Sequence, residues 1–235
     1  MLFIDGAYAQ QPASTDSLKR AITTAKHDTA RLVAMMALSE RIGQQRPDTN
    51  LVLCESALAI ADRALKQPGI KPVVRKTLLV QQASALNNKA VSHFMFGELD
   101  SALICFKQAE VIHRSNGRAD GVADALNNQG VVHEKLGNHA EQRRCLFEAL
   151  VVYQKAGESY HVATALNNIG NYFKARGLSD SAHAYLDSSL SVAQRLNDQR
   201  AIANSLLNVG LLHAEQGQAS EALERYLECE RIYTQ

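Results

Sequence analysis

From residue 73 onward the apolar and small residues recur with two periods at once. Within each half-unit they fall at i, i+4 and i+7, one stripe of an α-helix, and the whole pattern returns every forty residues. Leu86, Leu126, Leu166 and Leu206 align. Four residues on stand Ala90, Gly130, Gly170 and Gly210, and seven after those Gly97, Gly137, Gly177 and Gly217. The second half keeps the rhythm with Ala102, Ala182 and Ala222, then Phe106, Leu146, Leu186 and Tyr226, then Ala109, Ala149, Ser189 and Cys229. Each unit therefore reads as two helices. Glycine between them can take the left-handed conformation that ends a helix, and Gly117, Gly157 and Asn197 are placed to end the second helix in the same way. Small residues at the 90 and 102 columns let two helix axes approach closely. Gln142 interrupts the second column and predicts a looser or shifted pair in the second unit.

Upstream the pattern is weaker but related. "ESALAIADRAL" (55–65) carries Ala57, Ala61 and Ala64 in the places of a second helix, and "TARLVAMMALSERI" (29–42) would be its partner. The connection "KQPGIKP" (66–72) is longer than the later ones, so this first pair is expected at a different angle. A short helix over about 17–26 would cover the N-terminal end. The organisation read from the chain is a disordered lead or signal-peptide remnant at 1–15, N-terminal helices with a divergent first pair at 16–72, and four repeats at 73–235, with units starting near 80, 120, 160 and 200. A period of this length is the mark of a solenoid, in which each helix pair packs only on its neighbours.

The run of Leu, Gly or Ala, Gly, Ala, Phe or Leu, and Ala at these spacings resembles the tetratricopeptide repeat (TPR) family, in the longer-period form of kinesin light chains, of the scaffold that orients mitotic spindles and of bacterial quorum-peptide receptors. The resemblance implies an all-α fold, a right-handed α-solenoid (superhelix) of TPR-like antiparallel helix pairs. It also implies a role for "ALNN", which recurs at 85–88, 125–128 and 165–168 and decays to "SLLN" at 205–208. In the family the first helices line a concave groove, and an Asn at the position of Asn88, Asn128, Asn168 and Asn208 holds the backbone of a bound extended peptide. An amide suits that task because it offers donors and an acceptor whatever the peptide's side chains. Their neighbours Asn87, Asn127 and Asn167, with Leu207 in the fourth place, join the expected site, as do Asn171, Lys135 and Lys174, the lysines favouring an acidic partner. The alternative is that these amides bond neighbouring helices and only stiffen the solenoid.

Charge and chemistry narrow the function further. With 25 Lys+Arg against 24 Asp+Glu and no basic run, the chain of 235 residues carries no electrostatic footprint for nucleic acid. No apolar run approaches the length that spans a bilayer. The four cysteines lack CxxC spacing and read as packing residues. His93, His133 and His213 align, with Phe173 as the fourth member; equivalent positions a helix pair apart cannot converge on one metal ion, so the column reads as packing. No P-loop, GxSxG, GxGxxG or paired-carboxylate pattern appears, and the reading is a non-enzymatic module without cofactor. Its expected partner is a protein or peptide.

The wider setting stays open at this point. The polar lead followed by repeats resembles the N-terminal sensory region of bacterial, Bacteroidetes-type, signalling proteins such as histidine kinases. Ala7-Tyr8-Ala9 before Gln10 has the pattern of a signal-peptidase site, which would place the chain in the periplasm, and otherwise in the cytoplasm. Leu223, Tyr226, Leu227 and Cys229 in the last helix would lack a covering unit, which points to a continuing chain or to a self-assembling solenoid, a homodimer through its C-terminal end.

Overall fold

The computed structural model describes residues 14–157 and 159–234. Residues 1–13, with the Ala7-Tyr8-Ala9 pattern, lie outside the described residues. Among the described residues there are eleven α-helices and no strand: α1 Thr15–Thr24, α2 Asp28–Ile42, α3 Pro47–Leu65, α4 Pro72–Met95, α5 Leu99–Ser115, α6 Ala119–Lys135, α7 His139–Ala156, α8 Ser159–Lys174, α9 Ser179–Arg195, α10 Gln199–Glu215 and α11 Ala219–Thr234. The expected all-helical fold is what the chain adopts. None of these helices is long and apolar enough to cross a membrane.

The chain forms two compact units, residues 1–142 and 143–235. The boundary falls directly after Gln142, whose side chain is buried in place of the small residue that other repeats hold there. In the first unit α2, α3 and α4 enclose Leu32, Met35, Met36, Ala57, Ala61 and Leu78, and Ile22 of α1 packs against this cluster. A second cluster, with Ala90, Val91, Ala102 and Phe106, joins α4 and α5 to Val132 of α6. In the second unit Ala182 and Leu186 of α9 pack with Val209 and Leu212 of α10, and Ala203 and Leu206 of α10 with Cys229 of α11.

The repeat columns have direct physical causes. A Cβ added to Gly170 would lie 2.6 Å from Leu186 Cγ and 3.3 Å from its backbone nitrogen, so α8 and α9 touch at a point where no side chain fits. The turn residues Gly97, Gly137, Gly177 and Gly217 all have positive φ, from 67° to 77°. At the ends of the second helices Gly117 and Gly157 do the same, and Asn197 is the single described non-glycine residue with positive φ, at 54°. Two members of the histidine column clasp their turns as well as packing: His93 Nδ1 is 2.5 Å from Glu98 Oε2, and His213 Nδ1 is 2.6 Å from Gln218 Oε1. A spacing of five residues carries the second side chain back over the glycine.

Two helix starts differ from the pattern-based reading. α3 begins at Pro47, eight residues before the alanine stripe signals it, and α4 begins at Pro72, ahead of the unit start near 80. Proline is favoured in the first turn because it needs no N–H partner there and its φ is already helical. The link from α3 to α4 is accordingly reduced to residues 66–71, with Gly69 at φ 72°.

Candidate functional site

The expected groove residues lie on the first helices of the repeats: α4 and α6 in the first unit, α8 and α10 in the second. In the first unit this face is largely closed. Asn88 is 3% exposed and Asn128 0%. Asn88 Nδ2 donates to Ser39 Oγ of α2 at 2.9 Å. Asn50 of α3 accepts from Ser39 Oγ at 2.6 Å, while its Nδ2 donates to Ser92 Oγ at 2.9 Å and to the Asn88 carbonyl at 3.2 Å. Ser39, Asn50, Asn88 and Ser92 are thus a buried polar network that ties α2, α3 and α4 together. Cys54 sits beside Ser39 Oγ, 3.5 Å away, and burial pushes its thiol up to about 11.

The amide pairs also bond across repeats. Asn128 Nδ2 donates to Asn87 Oδ1 at 3.2 Å, and the equivalent bond in the second unit runs from Asn208 Nδ2 to Asn167 Oδ1 at 2.8 Å. Asn167 Oδ1 accepts a second bond from Asn171 Nδ2 at 3.1 Å, and Asn167 Nδ2 reaches Ser205 Oγ at 3.4 Å. In both cases the first amide of one repeat is the acceptor for the second amide of the next. Asn127 and Asn167 are buried, Asn87 half-buried. For Asn88 and Asn128 the expectation of an open groove position is corrected: α2 lies over Asn88, and Asn128 is enclosed with its amide nitrogen committed to Asn87.

The second unit leaves more of this face open. Asn168, Asn171 and Asn208 are half-buried rather than enclosed. Asn171 Oδ1 is buried without a hydrogen-bond partner among the described residues. Leu211, one turn beyond Asn208, is 38% exposed, and Leu207, in the place of the earlier Asn, is 44% exposed. Lys174 stands half-buried in the last turn of α8, seven residues on from Asn167 and on the same helical face. Lys135 is exposed at the end of α6 in the first unit.

Another feature of the second unit carried no sequence signal beyond scattered aromatics. Phe173 stacks on Tyr185 at 5.4 Å between ring centres and meets Phe147 edge-on at 6.3 Å; Phe147 in turn meets Tyr185 at 5.8 Å. Arginines cover two of the neighbouring rings, Arg143 over Phe147 and Arg176 over Tyr172 at 3.7 Å. Phe173 occupies the histidine column, so an aromatic ring there exchanges a turn clasp for ring packing against α7 and α9.

Residues 121–195 and 162–235 match the tetratricopeptide repeat family, a stretch that runs from α6 to α11. No curated protein matches the chain. Among solved structures it is similar to BtubC (BKLC) from P. vanneervenii, at 19% identity and a TM-score of 0.71, over 94% of this chain and 89% of that one. A Rap protein in complex with competence and sporulation factor is similar at 15% identity and a TM-score of 0.67, over 94% of this chain and 59% of the other. The third is a signal-transduction ATPase (STAND) protein from Pyrococcus horikoshii with a tetratricopeptide repeat sensor, at 11% identity and a TM-score of 0.71; this chain is covered to 92% and that one to 32%. At these identities the likeness is one of fold, and the fold is the TPR-like helical solenoid.

Proposed function

We propose that this tetratricopeptide-repeat protein is a protein-interaction scaffold whose second unit holds an extended segment of a partner protein along α8 and α10. The observation that carries the reading is the half-open run of amides on those helices, Asn168, Asn171 and Asn208, with Lys174 at its end. An extended chain needs donors and acceptors for its peptide units, and side-chain amides supply both without regard to sequence. Lys174 adds a preference for an acidic residue. In the first unit the amides of Asn88 and Asn128 serve the solenoid, and Lys135 is the member of the expected site that remains open. The Rap protein bound to competence and sporulation factor supports the reading, as a protein of the same fold that takes a factor.

The setting we favour is the sensory or interaction region of a larger bacterial signalling protein, a histidine kinase or regulator. The signal-transduction ATPase is an example in which such repeats form a sensor within a longer chain.

The test is capture from a random extended-peptide library, comparing the wild type with an Asn168→Ala, Asn208→Ala, Lys174→Ala variant. Three lost contacts at about 0.5–1.5 kcal/mol each predict a fall in affinity of roughly 10-fold to 1,000-fold. Unchanged helix content by circular dichroism shows that the variant is folded. Equal binding by the folded variant, or no peptide captured by the wild type, removes the reading.

A further inference from the structure

Within the second unit, the ends of α7 and α9 and the start of α8 enclose a cavity of about 340 Å³. Tyr153, 1% exposed, forms its floor; Val162, Val192 and Leu196 form its walls, and the exposed Arg195 stands at its rim. Gly157 borders it, and a Cβ added there would meet nothing within 4 Å, so this side is open. The cavity has a cause in the sequence. One repeat earlier, a Cβ on Gly121 would lie 2.4 Å from His113 Nδ1, so the His113 ring rests directly on the α6 backbone. The equivalent of Gly121 is His161, and the equivalent of His113 is Tyr153. The His161 ring stacks on Tyr153, with 5.0 Å between centres and 8° between planes. Tyr153 is thereby held off the α8 backbone by the thickness of a ring, and the room left between the turns is the cavity. The far side of α9 is already packed by α10, so this is not a space that another helix of the array would occupy.

We propose that this cavity binds a small aromatic carboxylate. Its volume is that of roughly ten water molecules, room for a single ring with a short acid tail, and it lies within the usual range for small-ligand sites. Three aliphatic side chains and the Tyr153 ring suit a flat apolar body, since rings pack well edge-on or offset against one another. Charge selects the tail. Arg195 has no ion-pair partner among the described residues. It stays charged at any working pH, and its planar fork takes a carboxylate through two parallel hydrogen bonds. None of the lining residues is acidic, so a cationic ligand would find nothing to pair with. Because Arg195 is exposed, its pairing adds selectivity more than strength. A ligand of about ten heavy atoms is therefore expected to bind with Kd about 0.1–1 mM. Val162 lies about a third of a turn round α8 from Asn168, so such a ligand and a partner segment on the amides occupy different faces of the helix.

Amide-resolved NMR titration of the full chain with phenylacetate, with its uncharged analogue phenylacetamide and with acetate tests this. Phenylacetate should shift the signals of Val162, Val192 and Leu196 saturably. Phenylacetamide should bind about 2- to 5-fold more weakly, the worth of an exposed charge pair, and acetate, a charge without a ring, should give no saturable shift up to about 10 mM. Arg195→Gln removes the preference for the acid and leaves phenylacetamide binding as it was. Leu196→Trp fills the cavity from a position that is 42% exposed and abolishes binding of both, with circular dichroism unchanged. His161→Gly, which restores the arrangement of Gly121, lets Tyr153 settle on α8 and weakens binding several-fold. No saturable shift with phenylacetate up to about 10 mM overturns the inference. So does an acid bound no better than its amide, or binding that the folded Leu196→Trp variant retains. The Asn168→Ala, Asn208→Ala, Lys174→Ala variant keeps phenylacetate binding, so the peptide-binding reading and this one fail separately.

Discussion

Asn167 is the most connected amide of the second unit, and its removal separates a clasp from a ligand-binding group. Its Oδ1 accepts from Asn208 at 2.8 Å and from Asn171 at 3.1 Å, and the residue is 7% exposed. Asn167→Ala leaves two amide donors without their acceptor. With the longer bond from Asn167 Nδ2 to Ser205 Oγ lost as well, and at about 1 kcal/mol for each bond, the cost is about 2–3 kcal/mol, and hydration of the half-open Asn208 keeps it from rising further. Asn208→Ala removes one bond and costs about 1 kcal/mol. Because that bond is shared, the double variant should fall short of the sum by about 1 kcal/mol. Urea unfolding followed by far-UV circular dichroism gives the midpoints, and the slope must stay constant across the four proteins for the cycle to be read as stability. A loss under about 0.5 kcal/mol for Asn167→Ala, or additive effects, would refute the clasp, since a bond worth its usual amount cannot be absent from both measurements.

Three further outcomes follow from the first unit. Asn50→Ala leaves Ser39 and Ser92 buried without Asn50, their shared partner, and should cost about 3 kcal/mol, measured as a shift of the urea midpoint; a shift under a third of that contradicts the network. The Arg118 guanidinium and the Gly121 N–H hold the Asp120 carboxyl down to about 2 from its usual 3.8. A depressed carboxyl stabilises the fold above the unfolded value and loses that contribution as pH falls through about 2, so the difference between wild type and Asp120→Asn, about 1 kcal/mol at neutral pH after screening, should shrink between pH 4 and pH 2. With its thiol held up at about 11 by burial, Cys54 should resist alkylation at pH 8 until the chain is unfolded; peptide mapping that finds it modified within seconds in native buffer contradicts this placement.

How much of this was legible beforehand depends on the kind of constraint. Leu86, Ala90 and Gly97 and their equivalents were readable because close approach and left-handed turns admit few residue types, and Gly170 against Leu186 shows the constraint at atomic scale. The helix starts at Pro47 and Pro72 were missed because an apolar stripe marks where a helix packs, not where it begins. The turn clasp of His93 on Glu98 lay in a five-residue spacing that no helical period emphasises.

The amides were the hardest to read, and the reason is general. Helical spacing places Asn87 and Asn88 about 100° apart on one helix, which fixes two directions without saying what stands opposite each. That is decided by the neighbouring helix. Opposite Asn88 stands Ser39 of α2, outside the repeat and therefore outside its pattern; opposite Asn167 stands Asn208, inside it; past Leu207 the column has lost its acceptor. One recurring pair of residues thus forms a buried lock in one place and a cross-repeat clasp in another, and its second member stands half-exposed where the face opens in the second unit. A repeated residue identity reports a repeated backbone position, and its function has to be assigned copy by copy from what each copy faces.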